Sequence, residues 1–138
     1  MNEDGSRSRY VNCLTGAQLH RLAYREWGDP ANPRVVVCVH GLTRNSRDFG
    51  PLGRALSDRW RVIAADMPGR GESERLADPM LYQVPTYVAN AVTLLARVDV
   101  ETVDWVGISL GGLMGMALGA FERSPIRAVC ASAGPAST

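Results

Sequence analysis

The five residues Gly107-Ile108-Ser109-Leu110-Gly111 are those whose types and spacing could do chemistry. A serine hydroxyl works as a nucleophile when a tight turn lifts it clear of a sheet and presents it to a substrate carbonyl. Such a turn folds the chain back on itself. The positions two before and two after the serine must then be nearly without side chains, and Gly107 and Gly111 fill them. The flanks agree with this reading. Val103-Asp104-Trp105-Val106 reads as a buried strand, and the Gly- and Met-rich stretch after Leu110 reads as a helix that Gly112 and Gly115 let lie close to the sheet. A chain of this composition would contain the pattern by chance about 0.09 times, so its weight comes from this context.

Two upstream stretches would position such a serine. Arg34-Val35-Val36-Val37-Cys38-Val39 is a continuous apolar run ending in His40-Gly41-Leu42, the pattern of a central parallel strand followed by a sharp loop. Arg61-Val62-Ile63-Ala64-Ala65 runs into Asp66-Met67-Pro68-Gly69-Arg70-Gly71-Glu72-Ser73, a second buried strand with a Pro/Gly turn. Three strands separated by helix-length segments should end on one side of a sheet, the carboxyl edge where active sites of open parallel sheets lie. Asp66, at a strand end, is expected to hydrogen-bond the turn that follows it.

HGLTRNSRDF, DMPGRGES and GISLGG, in this order and spacing, resemble the serine-nucleophile branch of the α/β-hydrolase fold family. The resemblance runs from about Tyr10 to Ile126. It implies an α/β fold with a doubly wound, mostly parallel sheet, truncated after about the sixth strand. It also implies that Ser109 is the nucleophile and that the backbone N–H groups of Leu42 and Leu110 form the oxyanion hole, at about 3 kcal/mol per donor. His40 and Gly41 would then shape the oxyanion loop, without His40 acting as the base. A serine here argues against the epoxide hydrolase and haloalkane dehalogenase branches, which resemble the pattern but use a carboxylate nucleophile.

In this fold the catalytic triad follows the chain order serine, acid, histidine. After Ser109 the sequence has one acid, Glu122, and no histidine. Glu122 lies about three helical turns beyond the serine and cannot orient a base beside it. Members of the resembled family run to roughly twice this length. The expectation is therefore the amino-terminal part of a hydrolase domain over residues 1–130 and an irregular tail over 131–138, cut short as a fragment, by a premature stop or by a shifted frame. The parent activity would be acyl transfer from small esters, thioesters, lactones or ring-cleavage diketones. The alternatives are a catalytically dead binding module, and an acyltransferase or aminopeptidase of the same fold.

Composition bounds these readings. At 138 residues, with 46% hydrophobic and 21% charged content, the chain is one globular domain with a real core. Fifteen basic residues, all arginine, face 14 acidic ones, and their interleaving gives no case for nucleic acid or an acidic membrane. Cys13, Cys38 and Cys130 are widely spaced, and Cys38 and Cys130 lie in apolar runs as expected of buried thiols. Neither a metal site nor a cofactor is expected, and the partner is a small-molecule substrate. The polar start MNEDGSRSRY carries no apolar signal core, so a cytoplasmic location is expected.

The remaining elements read more plainly. A hairpin is expected from about Ser8 to Trp27, turning at Thr15-Gly16-Ala17, with His20 at its surface or half-buried. Ser46 is expected to cap a helix through Ser57, with Phe49, Leu52, Leu56 and Trp60 on one face. A second helix is expected from Pro85-Thr86 to Val98 with Val88, Val92 and Leu95 inward, and a last strand at Ile126–Cys130.

Overall fold

The computed structural model of the chain describes residues 1–133. Strands β1 (Arg7–Thr15) and β2 (Gln18–Trp27) form the expected hairpin, in register from Arg7–Glu26 to Thr15–Gln18. Four further strands follow: β3 (Val35–Val39), β4 (Arg61–Ala65), β5 (Val103–Ile108) and β6 (Ile126–Ser132). They join one sheet in the order β1-β2-β4-β3-β5-β6. The hairpin meets β4 antiparallel, and β4, β3, β5 and β6 run parallel to one another.

Side chains of the central strands alternate between two cores, which is why these runs are apolar throughout. Val35, Val37, Val39, Ile63, Ala65, Val103 and Trp105 pack on one face with α2 (Val84–Arg97) and α3 (Leu110–Gly119). Val36, Cys38, Val62 and Ala64 pack on the other face with Trp27, Phe49, Leu52 and Leu56. Helix α1 (Gly50–Leu56), entered through a single 3-10 turn at Ser46–Phe49, covers that second face. The sheet is doubly wound.

The cap of the first helical segment is not Ser46. Asn45 accepts the Arg47 N–H through its side chain at 2.9 Å, while Ser46 is buried and donates its own N–H to Asp66 Oδ1 at 2.7 Å. Val92, expected inward, is 48% exposed. The buried stripe of α2 centres on Ala91, and one residue further on the helix has turned about 100° away from it. His20 is fully buried, with Nε2 2.7 Å from Thr15 Oγ1, because the period of β2 places it on the same face as Leu22 and Tyr24.

Strand β6 takes in Ala131 and Ser132, which the expected tail had included. They pair with Gly107 and Ile108, so the parallel ladder reaches the tight strand-to-helix turn at Ser109, the elbow of the chain. Of the rest of that expected tail, residues 134–138 lie outside the described residues. Among the described residues β6 is the terminal strand. Cys130 is consequently exposed and not buried as its apolar run implied, while Cys13 and Cys38 are buried free thiols. No helix among the described residues is long and apolar enough to cross a membrane.

Candidate active site

Ser109 sits between the end of β5 and the start of α3, at φ 52° and ψ −110°. A non-glycine residue in such a conformation costs on the order of 1–3 kcal/mol, and the surrounding structure must impose it. Both backbone groups of the serine are tied: its N–H donates to the Ser132 carbonyl, and its carbonyl accepts the Leu113 N–H at 3.1 Å. The side chain caps nothing and the residue is exposed.

Close approach explains the glycines on either side. A Cβ at Gly107 would overlap the backbone of Gly111 and Gly112, and one at Gly111 would overlap the Val39 carbonyl. The indole N–H of Trp105 donates to the Gly111 carbonyl at 2.9 Å, locking the first turn of α3 onto β5.

The His-Gly loop comes to the same place. Val39 pairs with Gly107, so the chain leaving β3 emerges beside the elbow. A Cβ on Gly41 would lie 3.7 Å from the Ser109 Cβ. Leu42 follows, 59% exposed, and Leu110 is the first residue of α3.

His40 is fully buried, and both ring nitrogens are engaged. Nε2 accepts the Met67 N–H at 3.0 Å, which leaves the proton on Nδ1, donated to the Gly41 carbonyl at 2.6 Å. The ring therefore braces the ends of β3 and β4 against each other and has no nitrogen to spare for Ser109. Burial, more than any neighbouring charge, pushes its pKa below the ordinary histidine value, and burial lowers that of His20 as well. Both rings are neutral in the fold, whereas the unfolded chain takes up protons as soon as pH falls below the ordinary value. The contribution of these two rings to stability is expected to be constant above about pH 6.5 and to fall as pH drops below it toward the lowered folded-state values. Urea midpoints at about pH 7.5 and pH 5.5 would measure the drop, and His40→Gln should shrink it.

Asp66 organises the turn after β4. Its Oδ1 accepts the Ser46 N–H at 2.7 Å, its Oδ2 accepts the Glu72 N–H at 3.0 Å, and Ser73 Oγ donates to its carbonyl at 2.6 Å. A Cβ on Gly71, which has φ 53°, would overlap the carboxylate. All of these bonds are internal to the scaffold. Asp66→Ala is expected to destabilise the fold by about 2–3 kcal/mol, because it strands a buried N–H at Ser46. Chemical denaturation of the variant checks this.

One residue that sequence reasoning passed over is central to the loop geometry. Arg70 donates Nε to the Leu42 carbonyl at 3.0 Å, and Nη1 to the Pro68 carbonyl and the Tyr87 hydroxyl at 3.1 Å each. Its guanidinium also lies against the Tyr82 and Tyr87 rings. It clamps the Leu42 loop through the Leu42 carbonyl. Its only sequence signal was an arginine held between two glycines. The arrangement as a whole presents a serine on a strained turn against an adjacent loop. Among the described residues no group of three or more His, Cys, Asp or Glu side chains could hold a metal ion.

Comparison with known proteins points to one fold family. Residues 34–138 match the family description "alpha/beta hydrolase fold". The chain is 56% identical over 121 residues to a 3-hydroxybutyrate-oligomer hydrolase from Cupriavidus necator, a match covering 88% of this chain and 41% of that protein. It is 32% identical over 104 residues to a pimeloyl-[acyl-carrier protein] methyl ester esterase from Neisseria meningitidis, covering 75% of this chain and 38% of the esterase. Among solved structures, an alpha/beta hydrolase from Novosphingobium aromaticivorans superposes with a TM-score of 0.80 at 39% identity, over 92% of this chain and 44% of the other. The chain thus spans less than half the length of these relatives. With the family's description extending from β3 through the elbow to β6, the chain belongs to the alpha/beta hydrolase fold family.

Proposed function

We propose that Ser109 is the nucleophile of an ester hydrolase acting by acyl transfer, and that these residues form its nucleophile and oxyanion half. The observation that carries this reading is the strained Ser109 backbone, with its Cβ 3.7 Å from the position of a Gly41 Cβ. Strain of that kind is maintained where it serves a task. Ser109 Oγ attacks the ester carbonyl and passes its proton to a histidine. The oxyanion is held by the Leu42 and Leu110 amides, and the alcohol departs with the proton. Water then repeats the sequence on the acyl-serine and frees the acid.

The histidine of this mechanism is neither of the two present. His40 is spent on Met67 and Gly41, and His20 lies on β2, with β4 and β3 between it and β5. Base and acid would then come from residues outside these 138. The similarity to a 3-hydroxybutyrate-oligomer hydrolase supports esters of short hydroxy acids as the substrate class.

The test joins these residues to the carboxyl-terminal segment of a similar hydrolase and supplies the linear dimer of 3-hydroxybutyrate. Cleavage to two monomers that disappears in Ser109→Ala is the expected result. Cleavage persisting in that variant would overturn the assignment.

A further inference from the structure

A second feature borders the Leu42 loop. A cleft of about 410 Å³ opens there, and its walls include Leu42, Arg70, Arg75, Tyr82 and Tyr87. The polar side chains of this wall supply donors and almost no acceptors. Arg70 spends Nε and Nη1 on two carbonyls and a phenol, so among the described residues its two Nη2 protons have no partner. Arg75 is exposed and, among the described residues, forms no ion pair, although seven other arginines with acidic neighbours do. The Tyr82 hydroxyl accepts the Leu76 N–H at 2.8 Å and the Tyr87 hydroxyl accepts from Arg70, which leaves both phenolic protons to donate. Two guanidinium groups without a carboxylate, beside two donating phenols, form a site that an anion would complete.

We propose that this cleft is a carboxylate subsite, taking the free carboxylate of an acidic ester while the ester carbonyl lies at Ser109. This inference rests on the acyl-transfer reading of Ser109 for the placement of the substrate. Leu42 joins the two regions: its carbonyl is held by Arg70, and its amide belongs to the loop beside the serine. A carboxylate bound to the Arg70 Nη2 edge, with Arg75 closing over it, would fix the acid end of the substrate next to the oxyanion loop. The planar fork of a guanidinium suits a carboxylate in this role. Neutral esters would lack this anchor.

The experiment is a titration of the chain, labelled at arginine nitrogen, with monomethyl succinate, dimethyl succinate and inorganic phosphate at constant low ionic strength. Saturable shifts of the Arg70 and Arg75 Nε–H resonances with the monoester, absent with the diester, are expected. Arg75→Gln, a change at an exposed side chain, should raise the half-saturating concentration about tenfold, the scale of one charge-assisted hydrogen-bonded pair. An unchanged titration in that variant, an equal response to the diester, or tighter binding of phosphate than of the monoester would overturn the proposal. No chemistry at Ser109 enters this readout, so its failure is distinct from a failure of acylation there.

Discussion

These 138 residues alone are expected to give no burst of product from an activated ester, and joining them to a segment carrying an acid and a histidine is expected to raise turnover about 10²–10⁴-fold, the range of a positioned general base. The reason lies in the proton inventory. At neutral pH a serine hydroxyl is a weak nucleophile unless a base takes its proton as it attacks. His40 cannot do so, since its Nε2 is occupied by the Met67 N–H and its Nδ1 proton by the Gly41 carbonyl. His20, on β2, is hydrogen-bonded to Thr15 of β1, in the outer hairpin. Asp66 is committed to the Ser46 and Glu72 amides. Stopped-flow release of 4-nitrophenol from its acetate reads the effect, and Ser109→Ala should remove all of the gain. A full burst from the 138 residues alone would show that a base is already present.

The second large effect is on folding. Gly111→Ala is expected to destabilise the chain by about 3–5 kcal/mol, at the upper end of what overpacking costs. The added methyl would meet the Val39 carbonyl carbon and oxygen, which are backbone atoms of a central strand and have no rotamer to change. Neighbouring helix positions give the contrast. Met116, on the same helix, is 60% exposed, and Met116→Ala should cost no more than about 0.5 kcal/mol, as for an ordinary surface change. Urea unfolding of the two variants side by side measures the difference. Equal midpoints would mean that α3 does not lie against β3 at the elbow.

The parts of this fold legible in the sequence are those encoded locally. The runs Val35–Val39 and Arg61–Ala65 declare buried parallel strands because both of their faces are covered. The elbow is legible because Gly107 and Gly111 are required by a turn spanning only five residues. What was illegible depends on contacts distant in sequence. The placement of β4 between β2 and β3 is set by pairing across the sheet and by no local pattern. Ser46 looked like a helix cap, yet Asp66, twenty residues on, claims its N–H and Asn45 does the capping. Val92 falls just off the buried stripe of α2, an angular difference that a count of apolar residues does not register. Cys130, like Cys38, sits among apolar neighbours, but β6 is terminal among the described residues and β3 is central. Arg70 reads as one more turn residue until Leu42, Tyr82 and Tyr87 are found around it.

The central claim is that the strained serine of the elbow is the acylated residue. Its most direct test is peptide mass mapping after treatment with a fluorophosphonate, applied to these residues joined to the carboxyl-terminal segment of a similar hydrolase. A single covalent adduct on the peptide containing Ser109, absent from Ser109→Ala, is the expected result. An adduct on any other residue, or hydrolysis that continues with Ser109 unmodified, would contradict it.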